Sequence, residues 1–172
     1  MIEKEDIKKI KEIAEEFFLK MTFFANSIQA ILPSEKASPL EYLWKTAPEP
    51  AENKDAVDLD IILEEPQILI GEKGQTLFEI QKLLRLICNK KIQKIFYLNF
   101  DINGYKKKKT EYLKKLAKES ADEVSATGRE KSFFPMPAYE RKIIHAELAK
   151  RNDVLTESRG ADPERYIIIK LK

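Results

Sequence analysis

The chain has 172 residues, 43% of them hydrophobic and 35% charged, enough for one ordinary domain or two small ones and too apolar for a disordered chain. Its net charge of +2 is unevenly spread, with −1 over residues 1–30, −6 over 31–66, +7 over 67–132 and +2 over 133–172. A single cysteine, Cys88, excludes an intrachain disulfide, no apolar run reaches membrane-span length, and the N-terminus is charged from Glu3 onward, so a cytoplasmic protein without membrane insertion is expected.

Ile7, Ile10, Ile13, Ala14, Phe17, Phe18 and Met21 recur at three- and four-residue steps, which predicts an amphipathic first helix. "TFFANSIQAIL", from Thr22 to Leu32, loses that period and reads as a strand closed by Pro33. Residues 33–56 hold four prolines and five acidic residues and read as a long loop or insertion. Within it Leu40, Tyr42, Leu43 and Trp44 either fold back onto the domain or dock a partner. "AVDLDIIL", 56–63, alternates as a half-buried strand does.

Pro66 suits a first helical turn, although period alone reads "QILI", 67–70, as strand. After Gly74 the residues Leu77, Ile80, Leu83, Leu84, Ile87 and Cys88 mark one helix face, and "IQKIFYLNFDI" reads as a strand. A further helix runs through Leu113, Leu116, Ala117, Ala121 and Val124 to a Gly128 cap. "EKSFF" is a short strand and "PMPAYERKIIHAELAKRN" a helix. "DVLTESR" and "ERYIIIKL" are two strands joined at Gly160–Pro163. The order is α-β, β-α-α-β, then α-β-α-β-β, an α+β protein of two units with a boundary near Asn103–Tyr105.

The pair Gly71 and Gly74 encloses Glu72 and Lys73 at the mouth of a helix. A Walker A loop needs four residues between its glycines and a following Lys; here two intervene and Gln75 follows. A dinucleotide fingerprint needs a third glycine. The spacing fits a KH module, in which a Gly-x-x-Gly turn between two helices clamps a nucleic-acid backbone. Missing Cβ atoms allow close approach, and peptide N–H groups at the following helix face phosphates. Replacing both glycines by Asp is expected to nearly abolish binding with the fold intact.

"LIGEKGQTLFEIQKLL", "NGYKKKKTEYL", "PMPAYERKIIHAEL" and "TESRG" occur in that order, and together they resemble the Jag family of bacterial proteins, encoded beside a membrane insertase. The likeness spans about residues 57–171. Arg141 and His145 match the Arg-x-x-x-His of the family's second domain, and Thr156, Ser158 and Gly160 its Thr-x-Ser-x-Gly. The resemblance implies a type II KH domain over 1–103, with the Pro-rich acidic insertion at about 33–56, and makes 67–70 a helix. It implies an R-x-x-x-H domain over 104–172, leading helix included, with a small three-stranded sheet against two helices. The implied ligand is single-stranded RNA, with single-stranded DNA open, and a second small KH protein is an implied partner. Two departures are expected: Glu72 sits where relatives commonly carry a basic residue, and the extra N-terminal domain of many relatives is not expected here, since Ile7 to Met21 already serve as the KH domain's own helix.

The expected contacts are Gly71, Glu72, Lys73, Gly74, Gln75, Lys82, Arg85, Lys106, Lys107, Lys131, Arg141, His145, Ser158 and Arg159. Arg141 would fork onto a phosphate and His145 stack on or hydrogen-bond a nucleotide. On spacing alone, His145 equally suits the last carbonyls of its helix. Lys106 to Lys109 covers a full turn, so no face presents all four. Tyr97 could stack on bases, whereas Phe100 suits the core better. One His and one Cys make no zinc cluster, and no nucleophile has a recognisable base nearby, so neither catalysis nor a cofactor is expected. The rival reading is an adaptor whose KH surface and acidic arm dock a partner protein.

Overall fold

The computed structural model describes residues 2–32 and 56–172. The insertion, with Trp44 and its apolar neighbours, lies outside the described residues. The described chain falls into two compact units: residues 2–32 with 56–106, and residues 107–172.

The first unit begins with α1 (Lys4–Lys20), opened by a reciprocal capping box between Glu3 and Asp6. The chain turns through Thr22, at φ +64°, with Phe23 N–H bonding back to Phe18 O. The strand expected from Thr22 therefore starts later, as β1 (Ser27–Ile31). β2 (Ala56–Ile62) pairs antiparallel with β1 and parallel with β3 (Tyr97–Ile102). Parallel neighbours need a crossover, which here is α2 (Gln67–Ile70), a tight turn over Glu72–Gly74, and α3 (Gln75–Ile92).

On α3 the buried stripe is Leu77, Ile80, Gln81, Leu84 and Cys88. Leu83, expected on that stripe, is exposed, being one residue and about 100° of helical rotation away from Leu84. The strand expected from Ile92 begins only at Tyr97, because α3 runs on to Ile92 and Gln93 closes it in a left-handed cap. The core sits between α1, α3 and one face of the sheet, with Phe18 stacked on Phe100 at 5.8 Å between ring centroids.

The second unit begins within α4 (Tyr105–Thr127), whose inward stripe is Leu113, Ala117, Ala121 and Val124. Gly128 ends the helix at φ +68°. β4 is only Lys131–Ser132, shorter than expected, since Pro135 has no N–H to continue a ladder. α5 (Ala138–Leu148), β5 (Val154–Arg159) and β6 (Tyr166–Leu171) follow. β6 is central, antiparallel to both β4 and β5. No described helix is long and apolar enough to cross a membrane.

Candidate nucleic-acid interface

The glycine turn is built tightly. Gly71 N–H closes α2 onto Gln67 O at 2.9 Å. Gly71 then takes φ +69°, ψ −176°, a conformation closed to residues with a Cβ. A Cβ there would stand 2.1 Å from Thr76 Oγ1 and 3.0 Å from the Thr76 backbone nitrogen, and one on Gly74 would stand 2.9 Å from the Tyr105 ring. Both glycines are thus required by the chain's own packing, whatever binds. The expectation that two aspartates would leave the fold intact is corrected: a side chain on Gly71 collides with Thr76, and one on Gly74 crowds the Tyr105 ring at a positive φ. Glu72, Lys73 and Gln75 are exposed on this turn, at the positive end of an 18-residue helix. Ile68 of α2 lies beside them in the chain, also exposed.

Farther along α3, Lys82 is exposed and paired with Glu79 at 2.9 Å, and Arg85 is half-buried. Phe100 is fully buried and offers no face to a base, while Tyr97 is half-buried on the opposite face of β3.

Lys106 is a clear correction. It is 6% exposed, and its Nζ donates to Gln81 Oε1 at 2.7 Å and to Asn99 Oδ1 at 2.8 Å. Gln81 Oε1 also accepts from Phe100 N–H at 3.0 Å. The pair therefore closes the free edge of β3, where an unpaired strand would otherwise invite a partner strand. Burial pushes the Lys106 ammonium down to about 8, against the pull of Asp101, Asp58 and Asp60. A lysine so held does not meet a phosphate. Lys107 and Lys108 are exposed, whereas Lys109 is half-buried against Glu140 at 3.2 Å.

In the second unit Arg141 and His145 do share one face of α5, but they point inward. Arg141 is 6% exposed and donates from Nη1 to Met136 O at 2.7 Å and Asp162 Oδ1 at 3.0 Å. The expected phosphate fork is thereby spent on holding the 136 and 162 segments to α5. His145 is half-buried, with Nδ1 2.6 Å from Thr156 Oγ1 and Nε2 2.8 Å from Ser158 Oγ. A neutral imidazole donates from one nitrogen and accepts at the other, so one hydroxyl accepts and the other donates. Burial, then the charges of Arg141 and Arg165, hold His145 below its ordinary value and keep it neutral. Ser158 therefore braces the second unit, and His145 packs against a strand instead of the last carbonyls alone.

Lys131 pairs with Glu123 of α4 at 2.5 Å, and Arg159 with Glu157 at 3.1 Å. Sequence reading passed over Thr76, Tyr105 and Asp162, none of which has a pattern of its own. Lys106 and Arg141 did carry a signal: each falls on the inward helical stripe, Lys106 seven residues before Leu113 and Arg141 seven before Leu148.

The family model of the R-x-x-x-H domain matches residues 111–171, all within the second unit. The chain is 43% identical over 105 residues to the RNA-binding protein KhpB of Clostridium symbiosum, covering 61% of this chain and 47% of that relative. It is 37% identical over 105 residues to RNA-binding protein KhpB of Lactiplantibacillus plantarum, covering 61% and 33%. To the Bacillus subtilis protein of that name it is 34% identical over 123 residues, covering 70% and 59%. The chain thus spans between a third and three-fifths of the length of these relatives. Arg141 and His145 both fall inside the matched stretch, and with these similarities the chain carries an R-x-x-x-H domain and is similar to RNA-binding proteins of the Jag type.

Proposed function

We propose that the chain is a non-catalytic protein that binds single-stranded RNA, its first unit acting as a type II KH domain and its R-x-x-x-H domain engaging the same strand. The observation that carries the reading is the Gly71–Gly74 turn between α2 and α3, set in an α-β-β-α-α-β unit with β2 and β3 parallel. A Gly-x-x-Gly turn so placed is what a KH clamp requires, and the relatives' own name as RNA-binding proteins supports the RNA-binding part of the reading. Lys73, Gln75, Lys82, Arg85 and Lys107 are the proposed backbone contacts, with Glu72 a carboxylate among them. Two modest sites on one chain raise affinity through effective concentration when one strand reaches both.

The test is fluorescence anisotropy with short random single-stranded RNA and DNA, at low and moderate salt, on the full chain and on Lys73→Glu. Salt-sensitive binding that falls about tenfold or more in Lys73→Glu supports the clamp. Failure to bind either polymer overturns the reading. Stronger binding to RNA than to DNA would mean the 2′-hydroxyl is read.

The adaptor reading is favoured by one observation. On the sheet face turned away from the first core, Asp58, Asp60 and Asp101 cluster, with Asp60 and Asp101 in register across β2 and β3. Desolvation and the two neighbouring carboxylates raise the proton affinity of Asp60. Such a face repels nucleic acid and suits a basic protein surface, a second small KH protein among the candidates. Pull-down with Asp60→Asn/Asp101→Asn, in which RNA binding survives and a protein partner is lost, would establish it.

A further inference from the structure

We infer that the face of the second unit's sheet turned away from α5, carrying Phe134, Tyr166 and Arg159, is the surface on which this unit stacks the bases of a single strand. The inference rests on the RNA-binding reading above and moves the second contact away from Arg141 and His145. Those two side chains are committed inward, to Met136, Asp162, Thr156 and Ser158.

The opposite face follows from strand alternation. Thr156 and Ser158 meet His145, so Glu157 and Arg159 project the other way. Arg159 is in register with Tyr166, and both Glu157 and Ser132 are in register with Ile168. Lys131 reaches Glu123 on the helical side, and Phe133 N–H still bonds Ile167 O at 2.8 Å. The alternation therefore carries Phe134 to the same face as Ser132 and Tyr166.

Phe134 is 89% exposed, the barest of the exposed large apolar side chains among the described residues. It precedes Pro135, and Pro137 caps α5; the fixed φ of both prolines limits what the segment can lose on binding. An exposed ring at Phe134, with the half-buried Tyr166 in register with Arg159 on the same face, is the kind of platform base stacking uses. The charge agrees: Arg159 Nη2 and Lys170 Nζ both lie 3.1 Å from one carboxylate oxygen of Glu157, two cations over one anion. The nearby carboxylate of Glu130 also acts on Arg159 and trims that excess, so stacking supplies most of the affinity and the cations place the phosphate.

The test is anisotropy of a short random-sequence single-stranded RNA on the full chain and on Phe134→Ala, Phe134→Trp, Tyr166→Ala and Glu157→Gln. Phe134→Ala should weaken binding about tenfold with an unchanged thermal midpoint, as befits a residue with almost no packing to lose. Phe134→Trp should restore it, and Glu157→Gln should tighten it by freeing two cations. The Phe134→Ala loss should persist at raised salt, unlike that of Lys73→Glu. Unchanged affinity in both alanine variants, with binding still lost in Lys73→Glu, overturns this inference and leaves the clamp standing. Absence of RNA binding in the parent chain overturns both.

Discussion

The ring of Tyr105 lies against Gly74, so closely that a Cβ on the glycine would stand 2.9 Å from Cε1 and 3.2 Å from the hydroxyl oxygen. The turn expected to hold a ligand is itself held by the first residue of α4. Gly74→Ala should therefore lower stability, and Tyr105→Ala should recover part of that loss, a coupling that a double-mutant cycle of denaturant midpoints reads directly. Gly71→Ala should cost more, about 2–4 kcal/mol, because Thr76 backbone and left-handed strain both oppose it.

Glu72 offers the cleaner probe of the clamp, because its side chain is exposed and its loss threatens no packing. Glu72→Lys should tighten RNA binding several-fold and steepen its dependence on salt by roughly one further phosphate contact. A gain cannot come from misfolding, so titrations at two salt concentrations are sufficient. Unchanged or weaker binding would place the phosphates elsewhere.

Arg141→Ala should unfold before it unbinds. Removing the guanidinium leaves Met136 O and Asp162 without their donor, at about 1–3 kcal/mol. The thermal midpoint of the second unit should fall, while affinity measured well below that midpoint changes little. Lost affinity at an unchanged midpoint would return Arg141 to the ligand.

Lys106 gives stability an alkaline signature. Its ammonium titrates near 8 in the folded chain and near 10.5 when exposed. Between those values the unfolded chain binds more protons, so stability rises with pH, by up to about 1.4 kcal/mol per unit. Urea melts between pH 8 and 10 should show the rise in the parent and lose it in Lys106→Met.

His145 produces a slope of the same sign in acid. Its folded value lies below the ordinary 6.5, so the unfolded chain takes up the proton first as pH falls. Its contribution is complete above that ordinary value and declines as pH drops below it. Melts between pH 5 and 7.5, compared with His145→Gln, check this.

Most elements were legible because their apolar residues keep the helical or strand period, as α1, β2 and α4 do. The ends were less so: nothing in "TFFANS" announces that Thr22 turns the chain, and Gln93 is not an obvious left-handed cap. Gly71, Gly74, Arg141 and His145 were legible as motifs. Their orientation was not, because a motif names residue types and leaves the facing strand unknown. His145 reads as a ligand until Thr156 and Ser158 come alongside, eleven and thirteen residues later in the chain. Phe134 was read only as the end of the short strand "EKSFF", because an aromatic before a proline carries no sign of its face until its exposure is known.

The carboxylates of Asp58, Asp60 and Asp101 give the first unit a handedness of charge. A strand of phosphates approaching from that side would meet three carboxylates, whereas Lys73 and Lys82 stand exposed on the glycine turn and on α3. On the proposed reading, the strand would be oriented at a distance, before any base is touched. The same three aspartates surround Lys106, so the repelling face and the sealed edge of β3 share one set of charges. Neutralising them would at once open the wrong side to nucleic acid and loosen the lysine that closes the sheet.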